Sequence, residues 1–173
     1  MQRIAKFEKV SYGQFLKDWL SDHPQDTEET VRALYEAIRL PRRATSGSAG
    51  YDFFTPHSFT LKPGETIKIP SGIRAKIDEG WVLKLYPRSG LGFKYRLQLN
   101  NTVGIIDSDY YHSDNEGHIQ IKLTNDTKDE KTLTVDEGTG IIQGIFIEYG
   151  ITTDDETTEV RNGGFGSTTA GGV

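Results

Sequence analysis

Apolar residues recur at helical spacing in two stretches near the N-terminus. Ser11 and Gln14 are spaced as a capping box ahead of the first stretch. Asp26, with Glu29 three residues on, opens the second, and Pro41 stops it. Stripes of this width usually face a core. The pattern predicts a helical hairpin over residues 11–40 packed against the main body, after a first strand within residues 1–10. The stripes are Tyr12, Phe15, Leu16, Trp19 and Leu20, then Val31, Leu34, Tyr35 and Ile38.

From Tyr51 onward the pattern changes to short runs of β-type residues separated by turn sequences such as Lys62-Pro63-Gly64-Glu65. Ile119, Ile121 and Leu123 alternate with polar residues, as in a strand with one buried face and one solvent-exposed face. Many short strands without intervening helices predict an all-β sandwich, jelly roll or barrel. The residues from Thr152 onward are polar and glycine-rich and predict a flexible tail. The runs are 51–54, 66–69, 73–77, 81–86, 97–99, 103–106, 118–123, 132–135 and 141–147.

Composition narrows the class of protein. The 173 residues suit one compact domain with an appendage, and the absence of cysteine excludes disulfides and thiolate metal sites. The N-terminus has no apolar run typical of a signal peptide, and no stretch approaches the ~20 apolar residues of a membrane span. A net charge of −5 argues against a nucleic-acid surface but allows a small phosphorylated ligand. We therefore expect a cytoplasmic protein that binds neither nucleic acid nor membrane.

The segment from Asn101 to Tyr110 is the strongest candidate for chemistry. It combines a hydrophobic strand, a glycine within that strand and an Asp-Ser-Asp-Tyr sequence where the strand ends. Gly104 indicates a bend or a close approach of ligand to backbone. A carboxylate at the end of a buried strand is well placed as a general base, which favours Asp107. Alone, the segment is more typical of an ordinary strand followed by a solvated Asp-x-Asp turn than of a catalytic site.

Two further segments suit a phosphorylated ligand. Pro87-Arg88-Ser89-Gly90 follows a strand and offers forked donors, a hydroxyl and accessible backbone N–H groups. In the tail, Arg161 precedes a glycine-rich run around Phe165 that ends in Ser167 and Thr168. Such a run could stack the Phe165 ring on a nucleobase and wrap its backbone and hydroxyls around a phosphate. An acidic and histidine-containing loop could suggest a metal site, but its mixed residues and spacing favour a solvated loop. Its members are Asp109, His112, Asp114, Glu116 and His118.

Five short blocks in this order, between Ala49 and Thr168, resemble those of the trimeric dUTP pyrophosphatases (dUTPases). The predicted hairpin at 11–40 lies outside the resemblance. The blocks are Ala49-Gly50-Tyr51-Asp52, Arg88-Ser89-Gly90-Leu91, Asn101 through Tyr110, Gly138-Thr139-Gly140-Ile141-Ile142-Gln143, and Arg161 with Gly163-Gly164-Phe165-Gly166-Ser167-Thr168.

The resemblance implies an all-β jelly-roll domain, expected over residues 1–151 with the hairpin at 11–40 as an insertion. It also implies a homotrimer with active sites between subunits. It further implies that the arm at 152–173 of one chain closes over a site built by others. The activity would be hydrolysis of dUTP to dUMP and pyrophosphate, with Mg²⁺ bound to the phosphates and waters rather than to side chains. Asp107 would deprotonate the water that attacks the α-phosphorus.

The remaining roles also come from the resemblance. Tyr110 would pack under the deoxyribose and leave no room for a 2′-hydroxyl. A hairpin around 101–107 would read uracil through backbone groups and the Asn101 amide. Other substrate-binding residues would be Gly104, Ile105, Ile106 and Gln120 around the nucleoside, Arg88, Ser89, Gly90 and Gln143 at the phosphates, and Arg161, Phe165, Gly166, Ser167 and Thr168 in the arm.

The chain departs from the usual blocks at two informative positions. Gly140 stands where an Arg is usual, so we expect a structural ion pair near the site to be missing, and Thr169 stands where a glycine usually ends the last block. Two rival interpretations remain open. A dCTP deaminase would need a proton-shuttling carboxylate, for which Glu116 is the candidate. A binding protein that docks a partner on the helical hairpin would expose Trp19.

Overall fold

A computed structural model of the protein describes residues 2–159 and 161. Helices occupy Tyr12–Asp22 (α1), Glu28–Ala37 (α2) and Ser89–Tyr95 (α3), and a 3₁₀ turn spans Ser108–His112. The strands are β1 Ala5–Lys9, β2 Arg42–Arg43, β3 Tyr51–Phe54, β4 Phe59–Leu61, β5 Thr66–Pro70, β6 Ile73–Ile77, β7 Trp81–Pro87, β8 Leu97–Leu99, β9 Gly104–Ile106, β10 Gln120–Asn125, β11 Leu133–Val135 and β12 Gly140–Glu148.

The strands form four antiparallel sheets. The largest has the order β2-β3-β12-β7-β9, and a second has the order β5-β10-β8. Two smaller sheets pair β1 with β6 and β11 with β4. Alternate side chains of β10 and β7 point inward, where Leu83, Ile121 and Leu123 are almost fully buried. The predicted β architecture is confirmed, and the layered antiparallel sheets are consistent with a jelly roll.

Helices α1 and α2 lie within the predicted range and pack on the sheets. The Ser11 hydroxyl caps α1 by accepting a hydrogen bond from the Gln14 N–H at 3.2 Å. The start of α2 differs from the prediction, because Thr27 is its N-cap while Asp26 accepts a hydrogen bond from the Trp19 indole at 2.8 Å. Phe15, Trp19 and Val31 are buried, so the apolar stripe belongs to the core and Trp19 offers no docking surface.

The sequence prediction of no helix after residue 51 is wrong. Arg88 is the N-cap of α3, which continues through two glycines. The short strands β2 and β4 were also missed, since two or three residues carry too little periodicity to be recognised.

Gly72 joins the helical pair to the sheets and gives a first prediction. Its φ is +71°, and an added Cβ would overlap the Ile38 side chain and approach the Phe15 ring at 3.3 Å. We expect Gly72→Ala to lower the free energy of unfolding by about 2–4 kcal/mol, measured by urea denaturation. Gly64→Ala is the control, because its φ is +82° but nothing lies within 4 Å of the added Cβ. Equal losses in both variants would contradict the packing argument.

His57 predicts an acid-sensitive fold. Burial against Trp19, followed by the nearby His23, lowers its pKa from 6.5 to about 4. The folded protein therefore binds this proton more weakly than the unfolded chain does. The contribution to stability is complete above pH 6.5 and is lost as the pH falls towards 4. Over this range we expect the free energy of unfolding to fall less steeply in His57→Gln than in the wild type. His112→Gln, at an exposed histidine, should keep the wild-type slope in urea titrations.

Candidate active site

The segment after β8 separates two sheets and opens a cavity. Strand β8 pairs with β10, whereas β9 pairs with β7. The two strands that flank the predicted hairpin around 101–107 therefore belong to different sheets and do not pair with each other. Tight backbone bonds shape the turn, with the Thr102 N–H donating to the Leu99 carbonyl at 2.9 Å and the Val103 N–H to the Asn101 carbonyl at 2.7 Å. The divergence leaves a cavity of about 370 Å³ against the face of β5 and β10.

This cavity gathers five predicted binding residues, namely Asn101, Gly104, Ile105, Ile106 and Gln120. It also has two cationic lining residues, Lys68 and Lys122, which sequence reasoning missed. They are directly paired across β5 and β10, and Gln120 lies two residues from Lys122 on the same strand face. The alternation of β10 could have placed Lys122 beside Gln120, but only the fold brings Lys68 there.

Gly104 has a packing reason for being glycine. It lies opposite Leu85 on β7, and an added Cβ would come within 3.0–3.3 Å of three Leu85 side-chain atoms. A larger residue would push β9 away from β7 and move the lining of the cavity.

Asp107 stands where β9 ends, as the N-cap of the 3₁₀ turn, and its side chain is 45% exposed. The Arg161 guanidinium forms ion pairs with Asp107 at 2.6 Å and with Asp109 at 3.0 Å. Beneath them Tyr110 is buried, and its hydroxyl donates to the His118 carbonyl at 2.9 Å and accepts from the Asn115 amide at 2.8 Å. The predicted base and the predicted sugar-packing ring are therefore adjacent, with Arg161 beside them.

A second group forms around Arg88. Ser89 and Gly90 open the first turn of α3, and Arg88 forms an ion pair with Asp52 at 3.3 Å. Gln143 lies on β12 opposite Asp52, with its amide oxygen beside Gly50, where an added Cβ would come within 2.6 Å. The four predicted phosphate-binding residues thus lie close together around the C-terminal end of β7.

The ion pair expected to be lost at Gly140 has a replacement. The Arg88 guanidinium occupies the space beside Gly140, where an added Cβ would come within 2.8 Å of it, and pairs with Asp52. An arginine at position 140 would compete with Arg88 for this space.

The two groups lie far apart within one chain. Leu83 pairs with Ile106 and Leu85 with Gly104, so the register places Asp107 next to Val82. From Val82 to Arg88 the extended strand covers roughly 20 Å at about 3.3 Å per residue. Asp107 and Arg88 therefore lie at opposite ends of β7.

The interpretation of 109–118 as a solvated loop is wrong for His118. His118 is fully buried, and Glu116 accepts hydrogen bonds from the Ser11 N–H at 2.7 Å and the Ser11 hydroxyl at 2.6 Å. Burial tends to raise the pKa of Glu116, but the Ser11 hydrogen bonds outweigh it and lower that pKa. A carboxylate committed to a helix N-terminus in this way is poorly suited to shuttle protons for a deaminase.

The predicted arm residues Phe165, Gly166, Ser167 and Thr168 lie outside the described residues. Among helices in the described part of the chain, none has both the length and the apolar character to cross a membrane.

Comparison with known proteins shows the family of the chain. A family model described as dUTPase matches residues 36–169. The chain belongs to the dUTPase family. The deoxyuridine 5′-triphosphate nucleotidohydrolase of Lactococcus lactis subsp. lactis is 41% identical over 136 residues, covering 77% of this chain and 89% of the relative. That of Paraburkholderia xenovorans is 39% identical over 138 residues, covering 75% and 88%.

Solved dUTPase structures share the fold. The Streptococcus mutans dUTPase aligns with a TM-score of 0.61 at 29% identity, covering 84% of this chain and 97% of that chain. A mutant of the dUTPase from phage phi11 of S. aureus, described with a structural Mg(II) ion, aligns with a TM-score of 0.61 over 91% and 98%. Its identity is 20%, so that likeness concerns the dUTPase fold alone.

Proposed function

We propose that this chain hydrolyses dUTP to dUMP and pyrophosphate by attack of water on the α-phosphorus. The observation that carries the proposal is the position of Asp107, a half-exposed carboxylate at the end of β9, directly after cavity-lining Ile106. Deoxyuridine triphosphate is also the substrate in the names of the relatives at 38–41% identity. In the proposal, Asp107 orients the water and takes its proton.

The cavity supplies the nucleoside subsite. Asn101 and the backbone of Gly104, Ile105 and Ile106 border a space of about 370 Å³, enough for a pyrimidine ring and its sugar. A site that pairs polar edges rejects a base lacking them far better than an apolar slot does. Tyr110 packs below the deoxyribose in this arrangement, its hydroxyl held by Asn115.

The phosphate subsite comes from a neighbouring chain. Arg88 lies roughly 20 Å along β7 from Asp107 at ~3.3 Å per residue, with Ser89 and Gly90 beyond it and Gln143 opposite Tyr86. This separation favours two chains that each supply one of the two groups to a triphosphate. A closed homotrimer solves this by placing the Arg88 group of one chain against the Asp107 group of the next. Forked guanidinium donors then bind phosphate oxygens.

Arg161 and the arm complete the proposal. Arg161 forms ion pairs with Asp107 and Asp109. A γ-phosphate carries more charge than either carboxylate, and so competes for the guanidinium and releases Asp107 to the water. Phe165, Gly166, Ser167 and Thr168 follow in the arm and are proposed to cover the base and the terminal phosphate.

Mg²⁺ belongs to the proposal as part of the substrate complex. Mg²⁺ held by the triphosphate would neutralise negative charge that opposes the attack of water. Asp107 and Asp109 are paired with Arg161, and within the described residues no three acidic or histidine side chains converge to hold a cation. Phosphate oxygens are the hard ligands that this ion takes in nucleotide sites. A cytoplasmic location, where nucleoside triphosphates are available, is part of the same proposal.

The test is pyrophosphate release from dUTP, UTP, dTTP and dCTP with Mg²⁺. We expect rapid release from dUTP and release from the others slower by orders of magnitude. Ammonia release from dCTP would instead establish the deaminase interpretation, and absence of pyrophosphate from dUTP would refute the proposal.

A further inference from the structure

Two carboxylates of α1 reach residues that line the nucleotide cavity. Asp18 accepts a hydrogen bond from the Gln120 amide nitrogen at 3.2 Å, and Asp22 pairs with the Lys68 ammonium at 2.9 Å. Gln120 and Lys68 both line the cavity. Helix α1 precedes residue 36, so it lies outside the part of the chain that the dUTPase family model matches.

The buried His118 contacts both Asp18 and Gln120 and determines the direction of the hydrogen bonds around Asp18. The Gly72 N–H donates to His118 Nε2 at 2.8 Å, so that nitrogen is an acceptor. The proton of the neutral ring therefore lies on Nδ1, which donates to Asp18 Oδ2 at 2.5 Å. Gln14 donates to the same oxygen at 2.8 Å. Burial tends to raise the pKa of Asp18, but the hydrogen bonds from His118 and Gln14 outweigh it and lower that pKa, so the carboxylate stays charged.

This arrangement fixes the orientation of the Gln120 amide. A carboxylate only accepts hydrogen bonds, so the Gln120 NH₂ group must face Asp18. The Gln120 amide nitrogen also lies 3.0 Å from His118 Nδ1. Both nitrogens are donors, and both donate to Asp18 Oδ2. The Gln120 carbonyl oxygen is turned to the other side and is buried, with no hydrogen-bond partner among the described residues.

We propose that α1 is a positioning element of the nucleotide site. In this proposal Asp18 keeps the Gln120 carbonyl oxygen unpaired, so that it can accept a hydrogen bond from a ligand that enters the cavity, and Asp22 holds Lys68 as a donor on the cavity wall. An acceptor beside a cation suits the imide N–H and carbonyl oxygens of uracil. Cytosine presents a ring-nitrogen lone pair and an amine, the opposite pattern. The inference rests on the proposed function, and makes Asp18 and Asp22 positioning residues for base selectivity.

Steady-state kinetics of the full chain with dUTP and dCTP test the inference. We expect Asp18→Ala to raise KM for dUTP about tenfold with kcat changed less than about threefold, and to reduce the preference for dUTP. Asp18→Asn should recover most of the loss, because its amide oxygen can replace Oδ2 as the common acceptor. Asp26→Ala is the matched control. It removes a carboxylate from the same helical pair that binds the Trp19 indole at 2.8 Å and no cavity-lining residue.

Wild-type KM in Asp18→Ala, or a KM raised equally in Asp26→Ala, would overturn the inference. Failure of Asp18→Asn to recover KM would also overturn it. Should Asp18→Ala fail to fold, Asp22→Ala carries the test at the exposed end of α1, with a KM about threefold higher expected from the released Lys68.

A readout independent of turnover separates this inference from the proposed function. The side-chain amide protons of Gln120, assigned with Gln120→Ala, should show shifted resonances and slow exchange in the wild type and neither in Asp18→Ala. Unchanged resonances would refute the positioning role even in an active enzyme. Changed resonances in a chain that does not hydrolyse dUTP would keep the positioning geometry and refute only the proposed function.

Discussion

Asp107→Asn should leave the fold and the binding of a non-hydrolysable dUTP analogue intact while kcat falls by roughly 10²–10⁴-fold. The amide has the shape of the carboxylate but cannot accept the proton of the attacking water. Its oxygen can still accept the hydrogen bond that Arg161 donates at 2.6 Å, so the local structure is preserved. Rapid-quench turnover and calorimetric binding measure the two quantities separately.

Asp109→Asn is a stringent control for this change. Asp109 is also half-exposed and also pairs with Arg161, at 3.0 Å, but lies beyond the end of β9 in the 3₁₀ turn. We expect its kcat to stay within a few-fold of the wild type. Comparable losses in the two variants would show that charge near Arg161, rather than a base at Asp107, supports turnover.

Mixing two inactive variants should restore activity. If Asp107 of one chain works with Arg88 of another, an oligomer made only of Asp107→Asn chains contains no complete site. The same holds for an oligomer made only of Arg88→Ala chains. Refolded together in equal amounts, about a quarter of the sites in a closed ring would combine an intact Asp107 with an intact Arg88. Activity near this fraction of the wild type is the expected measurement.

Two further samples make the mixing result interpretable. The same chains mixed without unfolding should remain inactive until subunits exchange. A mixture of Asp107→Asn with Asp107→Ala should never recover, because no chain supplies the base. Recovery absent from refolded mixed oligomers would mean that both groups act within one chain, against the separation along β7.

The parts of the fold set by local periodicity were predictable from the sequence. Phe15, Trp19 and Val31 lie on the stripes that defined the helices, and β3, β6 and β8 occupy their predicted ranges. Helix α3 was missed because Gly90 and Gly92 lie in it, and glycine lowers helix propensity by about 1 kcal/mol each. Its first turn is set by the chain leaving β7 at Arg88.

The candidate site was predictable only in part. The five sequence blocks identified Asn101, Asp107 and Arg88, because each block is a short continuous sequence that carries a reactive or binding side chain. The support behind them was not predictable, since His118 and Asp18 are 100 residues apart and the composition of the loop suggested exposure. The Arg88–Asp52 ion pair, which takes the place of one at residue 140, also depends on the fold, because Arg88 follows β7 and Asp52 lies on β3. Such pairings follow from the tertiary fold rather than from local pattern.

The cap that Glu116 places on Ser11 has a consequence for how the chain folds during synthesis. The two residues are separated by 105 positions, so α1 leaves the ribosome long before the residue that completes its N-terminus exists. Contacts this distant in sequence form late, because the loop between them must close first. Short helices are marginal in water on their own. The N-terminal forty residues should therefore stay uncommitted through most of translation and dock only after β10 has been made.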